Sequence, residues 1–168
     1  MLGRNCKAYY LNAAASTRTT WGDLNATSGR HEASAPPTLV EITSLKDVTL
    51  PGERDAAEIS DRGADAKTED TGAWGGRLTL VMNHRASDAA RDALNAAFIL
   101  NNPISLAILN GDKATAGSRG LWADFKVVKW EESQPEADHV VYNIDVALYD
   151  GPDGSGVAPE WVETISSV

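Results

Sequence analysis

The side chains that most often carry chemistry are few in this sequence and lack the spacing that catalysis or metal binding needs. His31, His84 and His139 lie in three distant regions, with no ligand spacing between them. Cys6 is the only cysteine, so we expect neither an internal disulfide nor a Cys/His catalytic pair. The sequence therefore predicts no metal ligands, no cofactor-binding residues and no catalytic residues.

Two glycine-rich segments are candidates for ligand-binding loops. Residues 72–76 are not followed by Lys-Ser/Thr or by a helix start, so they do not match a phosphate-binding loop. Residues 150–156 contain Asp150 and Asp153, but an EF-hand needs a longer series of ligands and a closing Glu. Acidic residues are plentiful, which leaves a glycosidase-type carboxylate pair open. No pair is singled out, and we expect that the chain is not an enzyme.

The acidic residues are concentrated at one end of the chain. The net charge is −9, and residues 131–168 contain nine acids and no Lys or Arg, whereas the residues before them are balanced. An acidic surface repels phosphate, which disfavours nucleic-acid binding through a basic surface. Alternatively, the negative charge serves only to keep the protein soluble.

Tryptophans are the clearest candidates for a binding surface. Trp122 and Trp130 are an even number of residues apart, so on one continuous strand both side chains would lie on the same face. They form either an aromatic face that binds sugar or a partner subunit, or two caps on the core. Trp74 and Trp161 lie in a predicted loop and tail, where one subunit buries them less easily. We expect these two residues, together with Ile59, to make intersubunit contacts.

The sequence indicates which elements position these residues: several strands, recognised by alternating apolar and polar residues, and one helix with an apolar stripe. Strands are predicted at residues 5–11, 38–43, 46–50, 77–84, 104–109, 121–128 and 140–149. A helix is predicted from a cap at Ser87 to about Asn101, because Ala90, Ala93, Leu94, Ala97 and Phe98 recur at helical spacing. The strand at residues 104–109 is apolar on both faces, which favours a central position.

Long segments without periodicity interrupt these elements. They cover residues 12–37, where a short strand is expected near Trp21, residues 51–76, and the C-terminal residues 150–168, which end in a last strand or an arm. Loops of this length are uncommon unless they function. We predict one domain, residues 1–168, that is mainly β: an antiparallel β-sandwich or barrel-like fold with one flanking α-helix and long interaction arms.

Six segments, taken in order, resemble a family of phage and prophage tail tube proteins. They are residues 1–7 (MLGRNCK), 42–50 (ITSLKDVTL), 58–63 (EISDRG), 104–112 (ISLAILNGD), 118–125 (SRGLWADF) and 158–162 (APEWV). The resemblance spans nearly the whole chain, although residues 12–37 are longer than the family pattern. It implies a β-sandwich or barrel-like subunit that forms stacked six-membered rings, in which the sheets of neighbours join around the path of DNA.

The resemblance implies a virion structural protein of a long, non-contractile tail that conducts DNA during ejection. Its partners would be other copies of itself and the tape-measure, tail-terminator and tail-tip proteins, with assembly in the host cytoplasm. No apolar run approaches the roughly 18 residues of a membrane-spanning helix, so no membrane insertion is expected. Two alternatives stay open: an inner tube protein of a contractile tail or secretion apparatus, and a carbohydrate-binding β-sandwich module.

The charge asymmetry adds one expectation about the tube. DNA that moves through a bore must not adhere to its wall, and an acidic wall repels phosphates. We therefore expect Glu131, Glu132, Asp138 and Asp145 to line the lumen.

Overall fold

The structure is a computed structural model that describes residues 6–11, 21–33, 38–49, 56–59, 68–71, 76–134, 139–149 and 159–165, with backbone only for 56–59 and 68–71. These residues contain twelve strands and one helix. The first seven strands are β1 (Lys7–Tyr10), β2 (Asp23–Asn25), β3 (Arg30–Ala33), β4 (Val40–Glu41), β5 (Leu45–Thr49), β6 (Ala56–Ile59) and β7 (Thr68–Thr71). The remaining elements are β8 (Arg77–Asn83), α1 (Ala89–Leu100), β9 (Ile104–Leu109), β10 (Arg119–Ser133), β11 (Val141–Leu148) and β12 (Glu160–Thr164).

Ten of these strands form one sheet that folds over into two layers. Its path is β2-β3-β12-β10-β11-β8-β5, and β9 joins β10 to β1, which pairs with β4. The first half of β10 pairs with β9 and β12, whereas the half from Phe125 to Ser133 pairs with β11. β10 therefore belongs to both layers. The second connection is residues 40–49, because β4 pairs in one layer and β5 in the other.

We call β5, β8, β11 and residues 125–133 of β10 the four-stranded layer, and the remaining strands of this sheet the second layer. All ladders in the sheet are antiparallel except that between β12 and β3. The prediction of a mainly β, sandwich-like or barrel-like fold is confirmed, with a mixed rather than a purely antiparallel sheet.

The main core fills the space between the two layers. Alternate residues on each strand of the four-stranded layer point into it, as the sequence pattern predicts. The buried members on the long strands are Leu78, Leu80, Met82, Leu121, Ala123, Phe125, Val127, Tyr142, Ile144 and Val146. A second apolar cluster covers the other side of the second layer and contains Tyr9, Trp21, Leu39, Ala107, Leu109, Trp122 and Val162. β9 supplies residues to both clusters, which confirms its central position.

A β-bulge at Val128 changes which side of β10 faces the core. Val127 pairs with Val146 and Lys129 pairs with Asp145, so Val128 is an extra residue on β10. The predicted aromatic face of Trp122 and Trp130 is therefore wrong. Trp122 is fully buried in the second cluster, whereas Trp130 packs against the main core, on the opposite face of the strand.

The helix begins one residue later than predicted. Asp88, not Ser87, is the N-cap: its carboxylate accepts hydrogen bonds from the backbone N–H of Ala90 at 3.1 Å and of Arg91 at 3.3 Å. Ser87 lies before the cap with a φ of 57°. The helix ends at Leu100, and Asn101, its C-cap, adopts the left-handed conformation. Of the predicted stripe, Ala90, Leu94 and Ala97 are buried, Ala93 is half-buried and Phe98 is exposed.

Parts of the three predicted arms form regular structure. β2 and β3 form a hairpin within residues 12–37, and β12 is a paired strand within residues 150–168. Within residues 51–76, β6 and β7 form a separate two-stranded sheet. The other residues of these segments either flank these strands within the described ranges or lie outside those ranges.

Candidate assembly surface

The four-stranded layer has one face in the core and one face directed outward. Cross-strand pairs share a face, so Lys129 with Asp145, and Glu131 with Asn143, lie on the side opposite the core residues. The register continues this side across β8 and β5. The outward face is formed by Asp47, Thr49, Arg77, Thr79, Val81, Asn83, Lys126, Lys129, Glu131, Ser133, Val141, Asn143, Asp145 and Ala147.

The predicted lumen residues do not all lie on this face. Glu131 and Asp145 do, and each belongs to a cross-strand pair on it. Glu132 pairs with Tyr142, a core residue, so it lies on the other face, where it is exposed near the end of the strand. Asp138 lies outside the described residues. The structure therefore brings two of the four acids together and separates Glu132 from them.

Bases neutralise much of the acid on the outward face. The carboxylate of Asp145 accepts a hydrogen bond from the Thr79 hydroxyl at 2.8 Å. The ammonium of Lys129 lies 2.6 Å from the carboxylate of Glu131, and this hydrogen bond raises the pKa of Lys129. Arg77 and Lys126 lie on the same face. An acidic stretch of sequence therefore becomes a face of mixed charge, because its strand neighbours come from the balanced part of the chain.

Both edges of the four-stranded layer are open within the described residues. At one edge, no described strand pairs with residues 126–133 of β10 on the side away from β11. At the other edge, β5 pairs only with β8. The four strands alternate in direction, so the two open edges run antiparallel to each other. Open edges of this kind are templates for pairing with another chain.

The predicted intersubunit contacts are described only in part. Trp161 on β12 is 46% exposed. The backbone of Ile59 lies at the end of β6, its side chain is outside the description, and Trp74 lies outside the described residues. Their role as contacts stays a prediction.

A surface that the sequence analysis did not single out lies at the end of α1. Phe98, Ile99 and Leu100 are all exposed, with Ile99 at 70% and Leu100 at 65%. Val128 on β10 is exposed as well. The signal was present in the sequence, because three consecutive apolar residues on a helix cannot all face one core.

Strand β12 is held in the sheet by polar contacts as well as by its ladders. The Arg119 guanidinium donates to both carboxylate oxygens of Glu163, at 2.9 and 3.2 Å. The buried carboxylate of Glu160 accepts from the backbone N–H of Trp21 at 2.9 Å. This part of residues 150–168 is therefore an integral strand, which leaves its exposed residues on a fixed surface.

The candidate chemical residues are dispersed in the described parts of the chain. Nδ1 of His31 lies 3.0 Å from the carbonyl oxygen of Gly22, and Nδ1 of His84 lies 2.9 Å from the Tyr142 hydroxyl. Burial, followed by the nearby charge of Asp47, raises the pKa of the Cys6 thiol to about 11. Across the described ranges, no three His, Cys, Asp or Glu side chains converge as metal ligands. The helix in the described residues does not meet the length and hydropathy needed to cross a membrane.

Comparison with family models and with curated proteins gives no match. Solved structures do match. The SPP1 tail tube aligns over 99% of this chain and 81% of its own, with a TM-score of 0.64 and 10% identity. The tail of an empty gene transfer agent particle aligns over 74% and 86%, with a TM-score of 0.57 and 8% identity. The anti-feeding prophage baseplate aligns over 89% and 92%, with a TM-score of 0.52 and 8% identity. The chain therefore has the fold seen in phage tail tube structures.

Proposed function

We propose that this chain is the structural subunit of a phage or prophage tail tube. The observation that carries the proposal is the four-stranded layer. It has an apolar face, a polar face and two edges that no other described strand covers, and these edges run antiparallel to each other. A sheet edge of this kind is a liability in a monomer, and pairing with another copy removes it. The fold shared with the SPP1 tail tube supports this reading.

The geometry of the edges supports a closed ring. Residues 126–133 of β10 in one copy can pair with β5 of the next, and the antiparallel alternation then continues across every junction. Such a contact joins two different surfaces of the same chain, and it gives a ring when the rotation closes. Six copies per ring is our proposal, supported by the C6 symmetry of the gene transfer agent tail and the six-fold symmetry of the anti-feeding prophage baseplate.

In this ring the outward polar face of the four-stranded layer lines the bore. Glu131 and Asp145 would then face DNA, together with the bases that neutralise them. A wall without a surplus of positive charge displaces few condensed counterions from DNA, so the polymer passes without adhering. The predicted role of Asp138 is retained, whereas Glu132 belongs to the opposite face of β10.

Assembly would take place in the host cytoplasm, and the product would be part of the virion. We propose ring and stacked-ring contacts between copies, in which Ile59, Trp74 and Trp161 take part, and terminal contacts with tape-measure, tail-terminator and tail-tip proteins. The tube would conduct DNA during ejection. No catalytic role is proposed.

The tube of a contractile tail or secretion apparatus is the second candidate. The match to the anti-feeding prophage baseplate supports it, because its TM-score of 0.52 lies close to those of the gene transfer agent structures. A sheath gene beside this one would favour the contractile machine. The carbohydrate-binding reading has lost its basis, because Trp122 is buried and does not share a face with Trp130.

Sedimentation velocity across a wide range of concentrations, followed by negative-stain microscopy, tests the proposal. We expect a monomer in dilute solution, and rings or tubes when the protein is concentrated. The contacts between subunits are expected to be weak, because ordering of the interface segments costs entropy that offsets part of the binding free energy. A monomer at every concentration in moderate salt would contradict the proposed function.

A further inference from the structure

We propose that the exposed C-terminal end of α1 docks against β4 of the next copy in the ring, with Ile99 and Leu100 packing around the neighbour's Val40. This inference rests on the proposed function and adds a second, apolar contact beneath the edge-to-edge ladder. The partner that packs on the exposed end of α1 is therefore a second copy of this chain.

The first of the two surfaces is the apolar C-terminal end of a helix that packs on the core. Ile99 and Leu100 are 70% and 65% exposed on a helix whose other side contributes Leu94 and Ala97 to the core. The ring of Phe98 stacks on Trp130 of β10, with centroids 6.5 Å apart. This contact fixes the end of the helix beside the half of β10 that β9 does not cover. An ordered apolar surface beside an open edge is typical of an interaction site.

The acceptor surface lies at the opposite edge of the same subunit. Residues 40–49 run without interruption through the described structure from β4 to β5, so β4 lies beside the open edge of β5 in the second layer. Val40 on β4 is 40% exposed. When β10 of one copy pairs with β5 of the next, the layer behind the junction contains α1 on one side and β4 on the other. Their apolar residues then face each other.

Charge on the two edges favours a second copy as the occupant. The outward face of β10 carries Lys126, Lys129 and the Glu131 that pairs with Lys129 beside its open edge, and that of β5 carries Asp47 beside the other. In the register that places Asp47 of one copy opposite Lys129 of the next, opposite charges meet across the junction. Opposite charges on neighbouring strands stabilise a sheet.

Cysteine crosslinking in assembled protein tests the contact. The variant carries Leu100→Cys and Val40→Cys in a Cys6→Ser background, and is treated with a short thiol-specific crosslinker after rings or tubes are seen by microscopy. We expect a ladder of covalent oligomers on a denaturing gel, because each copy has both halves of a head-to-tail contact. Leu100→Cys alone should give no covalent dimer, which is the largest product that one cysteine per chain allows. The matched control, Leu100→Cys with Leu24→Cys, should give none either, because Leu24 lies on β2 in a different part of the sheet.

Assembled rings without a ladder would overturn the inference and leave the proposed function intact. Dimers from Leu100→Cys alone would also overturn it, because they indicate contact between two helix ends. If the unmodified protein never assembles, both the proposed function and this inference fail.

A second measurement uses no crosslinker. The double variant Ile99→Gln and Leu100→Gln should keep the fold of the subunit, because both side chains are exposed, and should raise the critical concentration for assembly by about tenfold or more. The control Leu24→Gln replaces a residue that is 61% exposed and should leave that concentration unchanged. Equal critical concentrations for the double variant and the unmodified protein would contradict the docking contact.

Discussion

Trp122 and Trp130 lie on the same strand and on opposite faces of the sheet. Trp122 packs edge-on against Trp21 in the second cluster, with ring centroids 6.1 Å apart. Trp130 lies 5.5 Å from Tyr142, measured between ring centroids, on the side of the main core. The extra residue at Val128 separates them, so one bulge lets a single strand supply a large aromatic residue to each side of the sheet.

Deleting Val128 should destabilise the subunit by about 3 kcal/mol or more, because every later residue of β10 would exchange faces and bring Lys129 and Glu131 to the core side. The control Val128→Ala should change stability by less than about 1 kcal/mol, since the side chain is exposed. Urea unfolding of both variants measures the difference. A deletion variant as stable as the control would show that the bulge does not fix the face of β10.

Gly120 allows β10 to approach β9 closely. A Cβ at this position would lie 1.7 Å from the carbonyl oxygen of Ile108, so Gly120→Ala must displace one of the strands. We expect a loss of about 3 kcal/mol or more in the free energy of unfolding. Gly29→Ala is the comparison: it has a φ of +66° and no atom within 4 Å, so only backbone strain of about 1 kcal/mol is expected. Equal losses in thermal unfolding would argue against the close approach.

The Cys6 thiol should react slowly in the folded subunit. Its pKa is raised to about 11 by burial and then by Asp47, so the neutral thiol is favoured. The resulting stabilisation is fully present below the thiol pKa of the unfolded chain, and is lost as pH rises through about 11. We expect alkylation by iodoacetamide to accelerate with pH up to about 11 in the folded protein. In urea the rate should level off near the ordinary thiol pKa, and the same pH profile in both conditions would contradict the shift.

The β6–β7 hairpin is predicted to act between subunits. Within the described residues it pairs with no strand of the main sheet. Replacing residues 52–74 with a short Gly/Ser linker keeps Gly76, whose carbonyl oxygen accepts from the N–H of Leu148 at 2.9 Å. The shortened chain should be folded by circular dichroism, sediment as a monomer and no longer form tubes. Tubes of normal length from this variant would exclude the hairpin as an assembly arm.

Charge reversal at adjacent positions distinguishes the two faces of β10. Glu131→Lys places positive charge on the face proposed to line the bore, where it should slow DNA ejection by adding a phosphate contact in each subunit. Glu132→Lys makes the same change on the other face and should leave the ejection rate unaltered. Both variants must first be shown to form tubes. A normal ejection rate for Glu131→Lys, or equal slowing by both variants, would contradict the proposed bore.

Much of the layer architecture could be predicted because side-chain alternation on a strand is local. Leu121, Phe125 and Val127 occupy the core face that their spacing indicates, and so do Tyr142 and Ile144 on β11. The helix was located to within a residue or two for the same reason. Its cap was misplaced because Ser and Asp both satisfy the first turn, and the choice between them depends on backbone geometry.

The candidate surface was less predictable because it depends on pairing between distant segments. The bulge at Val128 has no Gly or Pro to indicate it, so the parity of Trp130 was misread. The acids at Glu131 and Asp145 lie in an acidic part of the sequence, but Lys129 lies beside both of them, and Arg77 and Lys126 share their face. The parallel pairing of β12 with β3 is likewise non-local. The sequence therefore gives the net charge of residues 131–168, but the charge of the outward face depends on which strands pair.

Cryo-electron microscopy of the purified, concentrated protein would show how neighbouring subunits meet. We expect a tube in which residues 126–133 of β10 in each copy form an antiparallel ladder with β5 of the next. The outward face that carries Glu131 and Asp145 should line the bore. A tube whose subunits meet through other edges, or whose bore is lined by the second layer, would show that the proposed ring is wrong.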